Sequence, residues 1–165
     1  MPYTPANDVI GPYSGVGNNN IWGERLASML ESIMRADFNV IFEEYDRAAQ
    51  LEYPGGVTAH SFQGADMFWM GLRASFPNSK FKVHHVIGRE DATMPPRAAV
   101  RWSLHGKHDG YGTFGKPTGA DIFVLGITHA EYGDLIVEAP KIRREWTLYD
   151  EIAIWKQILL QTDVH

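Results

Sequence analysis

The chain contains no cysteine, which excludes disulfides, thiolate metal ligands and a cysteine nucleophile. That absence permits a reducing compartment without demanding one. A long basic run is also missing: 15 Lys and Arg stand against 20 Asp and Glu, for a net charge of −5. Nothing is therefore gathered to neutralise a phosphate backbone, and nucleic acid is not an expected partner. No segment approaches the ~18 uninterrupted apolar residues that span a bilayer. Residues 1–17 also lack a basic flank followed by an apolar core. No membrane partner is expected, and the cytoplasm is the default location. There is no Gly-x-Ser-x-Gly elbow and no phosphate loop, because the glycines from Gly106 to Gly119 precede a strand and not a helix.

With 44% apolar and 21% charged residues in 165, the composition is that of one folded domain. Residues 1–20 are rich in Pro, Gly and Asn without apolar period and read as a flexible arm, leaving 21–165 as the domain. Asn20 is placed to cap a helix whose Leu26, Leu30 and Ile33 share one face. Asp37 offers a second cap, before a shorter helix carrying Phe38, Ile41, Phe42 and Tyr45. Gln50 to Tyr53 reads as extended, and a third helix after Gly64 aligns Phe68, Leu72 and Phe76. From Lys80 the period changes to two, the strand signature. Strands are expected from Phe81 to Ile87, from Ala98 to Leu104 after a Met94-Pro95-Pro96 turn, from Ile122 to His129, and from Ile142 to Leu148. Asp150 then opens a short helix with Ile152, Trp155 and Leu159 on one side. Helices followed by adjacent strands predict an α+β fold with a curved, mostly antiparallel sheet.

Alternation divides the middle strand into Val100, Trp102 and Leu104 against Arg101, Ser103 and His105. It divides the last into Ile142, Arg144, Trp146 and Leu148 against Arg143, Glu145, Thr147 and Tyr149. The polar faces either meet solvent, as on any one-sided sheet, or line a pocket. On the second reading His105 and Glu145 are the candidate catalytic pair, since imidazole titrates near neutrality and burial raises a carboxyl toward it. A strand histidine also serves as a purely structural residue. No metal is expected: His84 and His85 are consecutive and point apart, and His105 with His108 lacks a third ligand.

The segments Ala99-Val100-Arg101-Trp102-Ser103-Leu104-His105-Gly106-Lys107-His108-Asp109-Gly110, Gly115-Lys116-Pro117-Thr118-Gly119 and Lys141-Ile142-Arg143-Arg144-Glu145-Trp146, with Asp150, resemble the SnoaL-like polyketide cyclase family. The resemblance covers roughly residues 21–158. It implies the cone-shaped fold of the nuclear transport factor 2-like superfamily, in which a bent sheet closed by helices encloses a small-molecule pocket, often as a homodimer through the outer sheet face. It favours pocket lining over solvent for the polar strand faces. The family's late-strand aspartate falls here on Thr147, and the Arg-x-Asp of related limonene-epoxide hydrolases reads Arg101-Trp102-Ser103. Neither carboxylate set is complete. A histidine of the polyketide cyclases falls on Thr128, beside His129, and a one-residue slip exchanges the two. The segment from Glu131 to Pro140 is also longer than the family's usual turn, and Asp150 stands where it can simply cap a helix.

Two functions follow from these residues. One is a cofactor-independent cyclase or isomerase acting on a small apolar carbonyl compound, with His105 moving a proton, Glu145 supporting it, and Arg101 or Tyr149 stabilising oxyanion charge. Ser103, Thr128, His129 and Thr147 complete the expected ligand contacts. The other is a non-catalytic ligand-binding domain, favoured by neutral Ser103 and Thr147 where related enzymes carry carboxylates. A homodimer is expected on either, through Val100, Trp102, Leu104, Ile142, Trp146 and Leu148 opposite the pocket.

Overall fold

Helix α1 (Ile21–Met34) begins where the Asn20 side chain accepts hydrogen bonds from the backbone N–H of Trp22 and Gly23. Its Leu26, Leu30 and Ile33 are fully buried, the face that the i, i+4, i+7 spacing anticipates. The computed structural model to which it belongs describes residues 19–133 and 140–162. The expected arm, up to its last two residues, and most of the Glu131–Pro140 connection lie outside these. Helix α2 (Asn39–Glu44) is shorter than its sequence pattern: no side chain caps it, Asp37 included, and Tyr45 already belongs to strand β1 (Tyr45–Tyr53). Strand β2 (Val57–His60) folds back on β1 and leads into α3 (Ser61–Ser75).

Strand β3 (Lys80–Asp91) turns at Ala92 and Thr93 into β4 (Met94–Lys107), so the hairpin turn precedes Pro95 and Pro96 instead of containing them. Both prolines sit where pairing with β5 (Asp121–Tyr132) has not yet begun, which suits residues without an N–H. Strand β6 (Ile142–Tyr149) and α4 (Glu151–Thr162) complete the chain. The six strands form one open sheet in the order β2-β1-β6-β5-β4-β3, antiparallel throughout except for the parallel β1–β6 pair. Helix α1 packs on β3 and β4, and α3 on β1 and β2. These two helices cover the inner sheet face. Asp150 caps α4, its Oδ1 accepting from the Ala153 N–H at 2.9 Å. Ile154 and Ile158 are the buried face of α4, while Ile152 and Leu159 are exposed. The helix is rotated from its sequence-based orientation by its contact with β5, where Gln157 and Gln161 each hydrogen-bond the strand backbone through both amide atoms. That is the stretch of β5 that β6 does not reach. No described helix is long and apolar enough to cross a membrane.

Register decides which strand faces look inward. Val100 pairs with Thr128 and Thr128 with Thr147, while Trp102 pairs with Gly126 and Gly126 with Tyr149. Directly paired residues point the same way, so the apolar face of β4 and the polar face of β6 are both interior. The next inner row is Ala98, Ala130 and Glu145, continued by Leu51 on β1. A bulge resets the phase of β6: Tyr132 pairs with Ile142 but Glu131 with Arg144, so Arg143 is an extra residue. Ile142 and Glu145 therefore face inward together, and Arg143 and Arg144 are both exposed. Val100, Trp102, Leu104 and Ile142 are thus core residues and do not form the outer apolar face expected of them. Gly126 matters to this arrangement, because a Cβ there would lie inside the Trp102 indole.

Candidate active site

Four strands and one helix converge on the Glu145 carboxyl, which is fully buried beneath α3. Strand β1 supplies Tyr45, whose hydroxyl donates to Oε1 of Glu145. Thr147, two residues along β6 on the same face, donates from Oγ1 to Oε2 at 2.8 Å. Behind Thr147 stands Thr128 of β5, with Oγ1 atoms 3.0 Å apart, and the Trp102 Nε1–H of β4 donates to Thr128 at 3.1 Å. Trp69 of α3 donates from Nε1 to the Tyr45 hydroxyl at 3.1 Å.

The hydrogens of this network have one available direction. An indole N–H can only donate, so it occupies a lone pair of the hydroxyl it meets. Thr128 then passes its own hydrogen to Thr147, and Thr147 passes its hydrogen to the carboxyl. Trp69 and Tyr45 form the second, shorter relay. Two chains of donors thus end on one carboxylate and favour its charged form, while burial opposes it. Burial wins: it pushes the Glu145 carboxyl up to about 7, with the bonds from Tyr45 and Thr147 restraining the rise. Burial, and then the neighbouring Glu145 charge, hold the Tyr45 and Tyr53 hydroxyls well above the usual phenol range. Both remain protonated around neutrality, where Glu145 titrates.

Of the expected site residues, Glu145, Thr128 and Thr147 are brought together in this network. Tyr149 shares their face, buried 6.1 Å from the Phe68 ring. His105, Arg101, Ser103 and His129 are on the opposite face. His105 pairs with Phe123 across the sheet and is exposed at a surface cavity of about 300 Å³, together with Lys80, Lys107, Asp109 and Asp121. His105 and Glu145 therefore share no cavity, because register places the polar face of β4 outward while that of β6 is inward. Arg101 is exposed. Ser103 is covered by His84, whose Nε2 lies 2.7 Å from its Oγ. His129 stacks on Trp146 with ring centroids 5.2 Å apart. A one-residue slip would have exchanged Thr128 and His129; the observed register has Thr128 inside.

The sequence reading missed Tyr45, Tyr53, Trp69 and Trp102 as site residues. An inward pair of tyrosines on β1 has no motif, and the two tryptophans read as core, which they also are. Tyr53 stacks on Phe68 at 3.8 Å between ring centroids, with its hydroxyl beside the Glu145 group. Ala98 and Ala130, in the same row as Glu145, put only methyl groups next to the carboxyl on the sheet side. A wider opening of about 730 Å³ lies at the β3–β4 turn, bounded by residues 91–96, Glu131, Tyr132, Gly133, Arg143 and Arg144. Glu145 is not part of its wall. Among the described residues no group of three or more His, Asp or Glu is placed to hold a metal ion.

The sequence profile of the SnoaL-like polyketide cyclase family matches residues 25–158. No functionally curated protein sequence matches the chain. Among solved structures, IdmH of Streptomyces antibioticus, a proposed polyketide cyclase, superposes with a TM-score of 0.65 at 19% identity, over 84% of this chain and 99% of its own. A proposed SnoaL-like polyketide cyclase from Jannaschia sp. CCS1 gives 0.66 at 15% identity, covering 85% and 95%. AclR of Streptomyces galilaeus, proposed to be a hydroxylase, gives 0.63 at 18% identity, covering 86% and 97%. At these identities the neighbours establish the fold alone, whereas the profile spans most of the chain: this protein belongs to the SnoaL-like polyketide cyclase family.

Proposed function

We propose that the protein is a cofactor-independent enzyme that moves a proton on a small, largely apolar carbonyl compound, in a cyclisation or an isomerisation. One observation carries this reading: a fully buried carboxyl, ringed by aromatic residues and fed by two directed donor relays, titrates near 7. A base with that pKa is half ionised at neutral pH and matched to carbon-acid chemistry. Glu145 takes the part that the family's missing late-strand aspartate would play from position 147, displaced by two residues along the same inner face. His105 faces away and has no role in it. The reading predicts that the protein accelerates deuterium exchange from D2O into at least one of a panel of bicyclic and tricyclic enolisable ketones, such as 2-tetralone. Glu145→Gln should slow that exchange by roughly 10²-fold or more. A panel on which the wild type nowhere exceeds Glu145→Gln would contradict it. The family's cyclase names agree with this class of chemistry but speak for other proteins.

Thr147, neutral where related enzymes place a carboxylate, favours a second reading as a binding domain that holds its ligand without turning it over. Tight binding of such ketones with no exchange would select it.

The outer sheet face supports a homodimer, though of the residues the sequence suggests only Trp146 and Leu148 belong to it. Ile87, Leu125, Ile127 and Leu148 are 44–64% exposed on β3, β5 and β6, beside the stacked His129 and Trp146. A contiguous apolar surface of this kind is what a two-fold contact between sheets would cover.

A further inference from the structure

The Tyr53 hydroxyl is buried and makes no hydrogen bond of good geometry with any described residue, while lying close enough to the Glu145 carboxyl to restrain its rise. A buried hydroxyl left unbonded forfeits the hydrogen bonds it makes with water in the unfolded chain, so such groups are rare without a reason. Here the surroundings supply one. Tyr53 is on the inner face of β1, one residue beyond the Glu52–Trp146 pair, which brings it level with Thr147 on β6. Its ring is held flat against Phe68, itself edge-on to Trp69, so the hydroxyl cannot swing away to find an acceptor elsewhere. Each acceptor nearby already receives a donor, and Tyr53 approaches the Glu145 carboxyl without reaching bonding geometry. Glu145 receives Tyr45 and Thr147, and the Tyr45 oxygen receives Trp69. Phe68 is half-buried and is the outermost ring of this stack, above a helix surface on which Met67 and Met70 are exposed.

We propose that Tyr53 is the oxyanion donor of the site: its hydroxyl is reserved for the oxygen of a bound enolisable ketone or phenol-like compound. This rests on Glu145 being the base. Glu145 takes the proton from the carbon next to the carbonyl, the C–H electron pair moves into the C–C bond, and the carbonyl pair moves onto oxygen. Tyr53 meets that oxygen as its charge develops. Return of the proton from Glu145 to another carbon completes an isomerisation. Attack by the enolate carbon on a second carbonyl, whose oxygen then takes the proton held by Glu145, completes a cyclisation. No oxidant, reductant or other reactant is needed. The assignment narrows the ligand to molecules with an oxygen two bonds from the carbon that bears the mobile proton, on a flat apolar frame that can lie along Phe68. Burial and the Glu145 charge hold the phenol well above the usual phenol range, so it stays protonated around neutrality, as a donor must be.

The test compares 2-naphthol with naphthalene by equilibrium dialysis against wild type, Tyr53→Phe and Glu145→Gln. Wild type should prefer 2-naphthol, and Tyr53→Phe should reduce that preference at least tenfold while leaving naphthalene affinity unchanged. Glu145→Gln, which resembles the protonated base, should bind 2-naphthol at least as well as wild type. Because the removed oxygen makes no well-formed hydrogen bond in the free protein, Tyr53→Phe should melt at the same temperature as wild type or higher. A purely structural hydroxyl would show a lower one. An unchanged naphthol preference in Tyr53→Phe, no preference in wild type, or a lowered melting temperature would overturn the assignment. Failure of the Glu145 reading is separate and shows as equal ketone exchange by wild type and Glu145→Gln.

Discussion

At the scale of single residues, the site is a contest between burial and hydrogen bonding over one proton. The Glu145 carboxyl sits at its ordinary value near 4.5 in the unfolded chain and about 7 in the fold. Between these values the folded protein keeps a proton that the unfolded chain has released, so folding stability falls as pH rises through this window. The full cost, at 1.36 kcal/mol for each pH unit of displacement, is about 3 kcal/mol above pH 7 and absent below pH 4.5. Glu145→Gln carries no such cost. Denaturant titrations at pH 4.5 and pH 8 should therefore show the variant gaining on wild type as pH rises, and a pH-independent difference would contradict it. Thr147→Val tests the opposing term. Loss of its hydrogen bond to Oε2 removes a restraint on the carboxyl, so the midpoint of the rate or exchange profile should move to higher pH than in wild type.

At the scale of elements, the interior depends on strand register and on room for one indole. Gly126→Ala would set a methyl group into the Trp102 ring, which is buried between β5 and α3 and cannot yield without breaking its bond to Thr128. A destabilisation of about 1–3 kcal/mol is expected, with altered tryptophan fluorescence. Unchanged stability and emission would mean that Trp102 is held elsewhere. Register is also where the sequence stopped being legible. Alternation separates the two faces correctly along Ala98–Leu104 and along Glu145–Leu148 but puts Ile142, on the other side of the bulge, on the wrong face; the caps at Asn20 and Asp150 are where the side chains say. Alternation does not say which face of one strand joins which face of its neighbour. That is fixed by pairing through β5 and by the extra residue at Arg143. Glu145 and Thr147 were found because they lie beyond that bulge, in phase with Tyr149. His105 was misplaced because β4 buries its apolar face. Tyr45 and Tyr53 come from β1, whose parallel contact with β6 links segments about 100 residues apart and leaves no local trace.

For the molecule as a whole, one sheet has two different faces: an inner face that shelters a titratable carboxyl, and an outer face with uncovered Leu125, Ile127 and Leu148. If the outer face joins two copies, Ile127→Glu should convert a dimer to a monomer in sedimentation without altering the far-ultraviolet spectrum. A wild type that is monomeric at micromolar concentration would count against the dimer. All functional claims on the inner face return to the state of Glu145. Its titration is observed most directly by carbon NMR of the intact protein, uniformly labelled at the glutamate side-chain carboxyl carbon. One resonance should titrate near pH 7, well above the rest, and should vanish in Glu145→Gln; a spectrum in which every glutamate titrates between about 4 and 5 would contradict the account.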